Sequence, residues 1–375
     1  MNQLPTAFVM EQALGHVTHA RNLSATLRDR DDISPTWLPI PFETSGASRL
    51  VPLLSSNWSV RASWRARRAL HAALASRPHG ALVFHTQVTA LFSVGLMRRL
   101  PTLISLDATP INYDTVGQYY GHRPAGSGFI DRRKFQMNRD AFDAAAVLVT
   151  WSEWAKGSLI DDYGADARKI HVLAPGAAQA YFDIGRSRRV APAPDAPVRI
   201  LFVGGDFPRK GGEQLLEAFS LGAFSQPAEL HLVTNHPVEP RPNIVVHRGL
   251  QPNSPQLLRL FEIADAFVLP SFAECLAVVL MEATAAGLPV ITTDVGALGE
   301  AVQPGTSGLV LQAGDTAALR CALDTLIGDA ALRQRMGRAG HALAQRKFNS
   351  QLNNHALLDL VVQAAASKSM ARRAA

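Results

Sequence analysis

Residues 270–300 read PSFAECLAVVLMEATAAGLPVITTDVGALGE, and they follow an apolar run, 264–269, broken only by Asp265. That run predicts a buried strand. Pro270-Ser271 stops it. From Cys275 the apolar residues continue for about three turns, which predicts a helix. Gly287 stands where a C′ residue belongs, and Pro289 forbids continuation. Residues 290–293 are short and β-branched, a second buried strand. The whole is a strand–helix–strand unit of a parallel sheet.

Two carboxylates interrupt this apolar stretch, Glu274 before the predicted helix and Glu282 within it. On a helical ruler eight residues separate them by about 12 Å along the axis. Eight steps of about 100° leave them within roughly a quarter-turn of one face. Between them lies a helix N-terminus with free N–H groups, a seat for phosphate. A ligand with hydroxyls at both ends and a diphosphate between suits that layout, as a nucleotide-sugar does. The same spacing also suits a helix with one capping residue and one exposed glutamate, and spacing alone leaves both open.

The stretch resembles the E-x7-E signature of retaining glycosyltransferases with the GT-B fold, the GT4 family. Glu274 and Glu282 stand at its glutamates, and Gly296, Glu300 and Gly308 match its G…E…G tail. The resemblance implies that Glu274 contacts the donor sugar. It implies that backbone amides just after it, at Cys275, Leu276 and Ala277, hold the phosphates, and that Glu282 binds the ribose hydroxyls. The family commonly has E-G-F-G at this point, where the chain has Glu274-Cys275-Leu276-Ala277. The likeness is specific over the C-terminal half and loose over the N-terminal half.

A second phosphate-binding pattern lies upstream. Residues 198–203 predict a strand, followed by Gly204-Gly205-Asp206-Phe207-Pro208-Arg209-Lys210-Gly211-Gly212 and a helix from about Glu213. A glycine-rich turn with two cations before a helix N-terminus is an anion site. It is neither a P-loop nor G-x-G-x-x-G. It resembles the family's F-V-G-x…R-K-G turn, whose basic residues neutralise the donor diphosphate. Many members carry an arginine directly after the first glycine; here Gly205 follows Gly204, so Arg209 and Lys210 carry the charge. The bland alternative is a solvated basic turn.

In the N-terminal half, residues 6–10 predict a strand, followed by a turn and a helix carrying His16, His19 and Arg21. Gly15 is the one glycine of that turn. Residues 50–54, 81–84, 103–106, 144–150 and 170–173 predict further strands, and 61–77 a helix with a basic face. Ser152 reads as an N-cap and Gly164 as the end of its helix. Polar residues directly after buried strands are presented at the carboxyl edge of the sheet, where ligands bind. Gly15, His16 and His85 are therefore candidate ligand-edge residues, and the resemblance implies that they lie on the acceptor side of a cleft. Asp107 stands where the family often has a histidine near the transferred sugar. A helix-capping His16, a satisfied loop histidine at 85 and an Asx-turn at 107 are the structural alternatives.

A length of 375 residues suggests two domains. The expected division is residues 1–183 as a Rossmann-like acceptor domain, 184–197 as a Pro-, Ala- and Arg-rich linker, and 198–347 as the nucleotide-sugar domain. Residues 348–375 are expected to form a C-terminal helix crossing back to the first domain. Further strands are predicted at 230–233 and 244–247, and helices at 254–264, 316–327, 330–347 and 353–366.

The composition is that of a globular protein, 47% hydrophobic and 18% charged. It has no apolar run long enough to span a bilayer. The start MNQLPTAFVMEQ does not read as a signal peptide. Cys275 and Cys321 have neither metal-type spacing nor a disulfide framework, so a cytoplasmic location is expected. The formal net charge is +6. Residues 61–68, RASWRARR, with Trp58 and Trp64, fit peripheral contact with an anionic membrane at its inner face, and fit equally the solvated face of an arginine-rich protein. No nucleic-acid motif appears, so no nucleic-acid partner is expected.

The resulting expectation is an α/β GT-B protein of two Rossmann-like domains with parallel sheets facing a cleft. It would move a sugar, with retention, from a nucleotide-sugar to a glycan or lipid-linked acceptor. Glu274, Asp107, Arg209 and Lys210 are the catalytic candidates, and no metal or cofactor is required. A non-catalytic GT-B subunit and a GT-B nucleotide-sugar epimerase are the rival readings.

Overall fold

The computed structural model of the protein describes residues 3–12, 15–41, 57–121, 124, 126, 128–188 and 196–374, with side chains through residue 370. The chain forms two units. The first comprises residues 1–111, 125–174 and 351–375, the second 112–124 and 175–350.

The first unit is built on strands β1 (Leu4–Gln12), β2 (Ile33–Pro41), β3 (Ala81–His85), β4 (Thr102–Leu106), β5 (Val147–Thr150) and β6 (Ile170–Val172). They pair in parallel in the order β2-β1-β3-β4-β5-β6. Both faces are covered, so the inner strands carry unbroken apolar runs: Ala7, Phe8, Val9 and Met10 are all buried. One face packs on Ala62, Ala66 and Leu70 of the helix Trp58–Ser76. The other packs on Leu23 and Leu27 of His16–Leu27 and on Leu357, Leu358 and Val361 of the C-terminal helix Ser350–Ala374. Asn354 donates to Thr26 and Arg30 pairs with Asp359 at 2.7 Å, fixing that helix to the unit.

The sequence reading and this unit differ in two places. Strand β2 carries Pro35, Pro39 and Pro41, which hide it from a propensity argument; it is tolerated because β2 is an edge strand. The strand expected at 50–54 lies outside the described residues. The strand expected from residue 144 begins at Val147, because Ala144 ends a helix, Phe129–Ala144, whose charged sequence shows little apolar period.

The second unit repeats the plan with β7 (Val198–Val203), β8 (Ala228–Val233), β9 (Ile244–His247), β10 (Ala266–Leu269), β11 (Val290–Thr293) and β12 (Gly308–Leu311). All pairs are parallel, in the order β12-β11-β10-β7-β8-β9. The two sheets establish the expected fold class, two Rossmann-like α/β units.

The segment expected to be a linker begins inside a helix, Gln179–Ser187, with Tyr181 and Phe182 buried. Arg188 then donates to the carbonyls of Ala286, Ala264 and Phe261 at 2.6–2.8 Å. It so satisfies carbonyls at the ends of two helices. Residues 189–195 lie outside the described residues. The expected helix from Cys275 starts only at Val278 and runs to Ala285, with Gly287 at φ 71° beyond it.

In both sheets the strand order reverses near the middle, between β1 and β3 and between β7 and β10. In an open parallel sheet the crevice beyond the carboxyl ends at such a reversal is where ligands bind. That places the turns after β1 and β3, and those after β7 and β10, at the two positions that matter.

Because Leu358 is fully buried under the first sheet, Leu358→Ala should destabilise the first unit by about 2–5 kcal/mol. Urea denaturation followed by circular dichroism checks this; a change under about 0.5 kcal/mol, the level of an ordinary surface substitution, would mean that the helix is a dispensable appendage.

Candidate active site

At the β7–β10 reversal the turn 204–212 and the loop 270–277 are latched together. The turn folds on itself through Lys210 N to Asp206 O, Gly211 N to Pro208 O and Gly212 N to Phe207 O, with Phe207 buried against Phe202. Phe272 N donates to Arg209 O at 2.9 Å, and the Ser271 hydroxyl donates to the same carbonyl at 3.3 Å. Gly211, at φ 76°, lies so close to Pro270 that a Cβ would overlap its carbonyl oxygen. Gly296, at φ 55°, is pressed in the same way against the Glu274 carbonyl, and Ala297 N donates to Cys275 O at 2.7 Å.

This frame brings Arg209, Lys210 and Glu274 into one buried cluster. Glu274 Oε1 lies 2.5 Å from Lys210 Nζ and 3.1 Å from Arg209 Nη1. The approach is ionic, off the directions of a well-formed hydrogen bond. Burial by itself would raise the Glu274 carboxyl; the charges of Lys210 and Arg209 outweigh it and hold the group below its ordinary value. Arg209 Nε also donates to Asp206 at 2.8 Å. Arg209 Nη1 donates to the Tyr120 hydroxyl at 2.9 Å and to the Ala273 carbonyl. Its guanidinium carbon stands 4.3 Å from the centre of the Tyr120 ring.

Glu274 is thus in an irregular loop and not on the helix, so the 12 Å helical ruler does not apply to it. Gly204 follows β7 directly, its N–H bound to Val233 O, and Gly205 is exposed. Cys275, Leu276 and Ala277 are buried in the loop. Ala277 is the N-cap of Val278–Ala285 and makes no side-chain capping bond, so its side chain satisfies none of the first N–H groups of that helix. Glu282 is buried on the same helix, and burial pushes its carboxyl up to about 7 against the opposing influence of Tyr181 and Lys210. Gly308 opens β12 and Glu300 lies in the short 3-10 turn Leu298–Ala301.

At the β1–β3 reversal the first unit gathers His16, His85 and Asp107. His16 Nδ1 is 2.8 Å from His85 Nε2, and His16 Nε2 is 3.8 Å from Asp107 Oδ2. The His85 ring stacks on Trp151 at 5.5 Å, and His19 packs on both. Burial first, then the neighbouring charge of His16, pushes His19 down to about 3 and His85 well below its ordinary value. Gly15 is the N-cap of the helix that carries His16 and His19.

Of the residues in the expected basic patch, Trp58 and Arg61 turn inward. Trp58 Nε1 donates to the buried Glu11 at 2.9 Å, and Arg61 is buried above the Trp58 ring. Trp64, Arg67 and Arg68 face outward. Among the described residues no helix is long and apolar enough to cross a membrane.

Sequence reasoning missed four contributors. Asp206 lay within the quoted turn and was legible as a partner for Arg209. Tyr120 sits in a stretch without period or motif, and nothing in the sequence marks it. Tyr181 lay at the edge of the assumed linker. Glu11 appears in the sequence only as the polar end of a strand.

Residues 197–329 match the family described as Glycosyl transferases group 1. The D-inositol 3-phosphate glycosyltransferase of Arthrobacter sp. (strain FB24) is 30% identical over 232 residues, 57% of this chain and 55% of that protein. The protein of the same name from Corynebacterium diphtheriae is 29% identical over 269 residues, 64% of this chain and 63% of its own length. The chain thus spans about half the length of the curated relatives it matches. Among solved structures, sucrose-phosphate synthase from Thermosynechococcus elongatus superposes with TM-score 0.75 at 18% identity, covering 97% of this chain and 100% of that one. Anabaena HepE in complex with UDP and glucose gives 0.67 at 14% identity, covering 96% and 100%. WaaG, a glycosyltransferase involved in lipopolysaccharide biosynthesis, gives 0.66 at 16%, covering 96% and 99%. At these identities the structural likeness carries the fold.

The state of Glu282 makes a pH prediction. Its folded value is raised, so folding favours the protonated form. That contribution is complete below the ordinary carboxyl value and is lost as pH rises through about 7. Glu282→Gln should therefore gain stability relative to the unmodified protein on going from pH 5 to pH 8, by on the order of 3 kcal/mol. Paired urea titrations at the two pH values check it; an equal difference at both would show that Glu282 ionises as an ordinary surface carboxyl does.

Proposed function

We propose that the chain is a retaining glycosyltransferase of the GT4 type, moving a sugar from a nucleotide-sugar donor to an acceptor hydroxyl. The observation that carries the proposal is the buried Glu274–Lys210–Arg209 cluster at the β7–β10 reversal, beside the uncapped start of Val278–Ala285. Cations and helix N–H groups at one sheet edge suit a diphosphate, and a carboxylate among them suits sugar hydroxyls. The match of residues 197–329 to a glycosyltransferase family and the UDP and glucose of HepE support the same reading.

In this proposal Arg209, Lys210 and the amides from Cys275 to Val278 stabilise the charge that builds on the leaving diphosphate, which is electrostatic catalysis by preorganised donors. Gly204 and Gly205 let the backbone approach the phosphates. Glu274 addresses the sugar and Glu282 the ribose. Asp107 takes the place of the family histidine, beside His16, which in turn contacts His85, and with Gly15 these belong to the acceptor side. No metal or other cofactor is assigned a role. The acceptor is a glycan or lipid-linked saccharide, as in cell-envelope polysaccharide synthesis. The protein would work in the cytoplasm, in peripheral contact with anionic lipid through Trp64, Arg67 and Arg68.

A thermal-shift screen over UDP-, GDP- and ADP-sugars should find one donor. Turnover with saccharide and lipid-extract acceptors, and with D-inositol 3-phosphate, should follow, and NMR of the product should show the anomeric configuration retained. Arg209→Ala with Lys210→Ala should abolish transfer with the fold intact, because the leaving diphosphate loses its cations. Unchanged turnover in that double variant, or an inverted product, would refute the assignment.

A further inference from the structure

The cations assigned above to the diphosphate are engaged by Glu274 in this structure, at 2.5 Å from Lys210 and 3.1 Å from Arg209. A diphosphate needs the same N–H groups. Two anions on one pair of cations in a buried site repel strongly, so an arriving diphosphate must loosen Glu274 from them. A loosened Glu274 is then available to accept from sugar hydroxyls, its role in the proposed reaction.

Arg209 needs other anchors during that exchange. Asp206 and the Ala273 carbonyl, both from the two latched loops, provide two. The third comes from elsewhere in the chain. Tyr120 lies in the segment 112–124, which belongs to the second unit although the N-terminal half encodes it. Tyr120 meets Arg209 twice: its ring faces the guanidinium at 4.3 Å and its hydroxyl accepts from Nη1 at 2.9 Å. Its neighbours hold it there, with Tyr119 stacked on Phe272 at 5.6 Å and Tyr113 packed on Tyr120 at 5.3 Å. Burial, and next the negative charge of Glu274, keep the hydroxyl protonated. Among the described residues its proton makes a long contact, 3.5 Å, to Ala273 O.

We propose that Tyr120 is a positioning residue of the donor site: it fixes the Arg209 guanidinium while Glu274 yields Arg209 and Lys210 to the donor diphosphate. This rests on the donor-site reading given under the proposed function. A cation–π face on a partly desolvated arginine, with a hydrogen bond at the edge, sets both the plane and the rotation of the fork, which a single acceptor does not.

The test is calorimetric titration with UDP, GDP and ADP of the unmodified protein and of Tyr120→Phe, Tyr120→Leu, Glu274→Gln, Arg209→Ala and the Tyr120→Leu/Arg209→Ala pair, with melting curves for each. Tyr120→Leu should weaken the diphosphate that binds by about tenfold or more, a loss on the scale of one cation–π contact and one hydrogen bond. Tyr120→Phe, which keeps the ring, should recover part of that loss. In the Arg209→Ala background Tyr120→Leu should add nothing, since its effect acts through Arg209. Glu274→Gln should bind the diphosphate more tightly, because the competing anion is gone.

A Tyr120→Leu loss that persists undiminished without Arg209 would show a merely structural role and overturn the inference. So would unchanged binding in Tyr120→Leu, or weaker binding in Glu274→Gln. If no diphosphate binds the unmodified protein, the donor-site reading itself falls and takes the inference with it. If one binds and Arg209→Ala weakens it while Tyr120→Leu does not, only the role of Tyr120 falls.

Discussion

A carboxylate buried beside two cations is the constraint around which the second unit is arranged. Removing Glu274, Arg209 and Lys210 from water costs several kcal/mol per ion, and their attraction offsets that only in good geometry. The geometry here comes from backbone. Arg209 and Lys210 sit on a turn that bonds to itself and to the loop after β10, and Glu274 sits on that loop. The approach is close enough that Gly211 and Gly296 are required where the chain passes Pro270 and Glu274. The Thr293 hydroxyl closes the frame by donating to Ser271 O at 2.6 Å. These contacts join the loops after three adjacent strands, β7, β10 and β11, so the charge cluster depends directly on sheet topology.

The same reversal in the first unit hosts a cluster of different electrical character. There the groups at the carboxyl ends of β1, β3 and β4 are imidazoles and one carboxylate, packed on the Trp151 ring. Burial empties His19 and His85 of charge. One unit therefore sets two cations against two carboxylates, which in the proposed reaction would meet phosphate once Glu274 yields, and the other sets largely neutral imidazoles beside Asp107. That division of labour follows from which side chains stand after each strand.

The sheet cores and the charged turn were legible in the sequence because their signals are local. Buried parallel strands are short apolar runs, and a glycine-rich turn with two cations announces an anion site in nine residues. What escaped was non-local or masked. Strand β2 was hidden by prolines that only an edge position permits. The helix Gln179–Ser187 was hidden by an arginine-rich flank that reads as linker until Arg188 is seen closing helix ends. The helix was expected from Cys275 because apolar residues continue through 275–277, but loop closure on Gly296 and Ala297 holds them irregular. Tyr120 had no signal, since its importance lies entirely in the partner it meets.

The two glutamates of the motif end in opposite states, and environment alone separates them. Both are buried, and burial pushes both toward protonation. Glu274 has two cations within 3.1 Å and is held ionised. Glu282, one helix further on, has a phenol beside it and only the more remote influence of Lys210, and its carboxyl rises to about 7. Paired carboxyl groups driven apart in this way take different parts in a site. In the proposed reaction an ionised Glu274 would contest the cations with an incoming phosphate and would be a strong acceptor once released. Glu282 near neutrality gains more from two hydroxyls that solvate its charged form than an exposed carboxylate would, because water no longer does so. The spacing of the motif in the sequence records neither difference; it arises from the residues that each carboxylate faces.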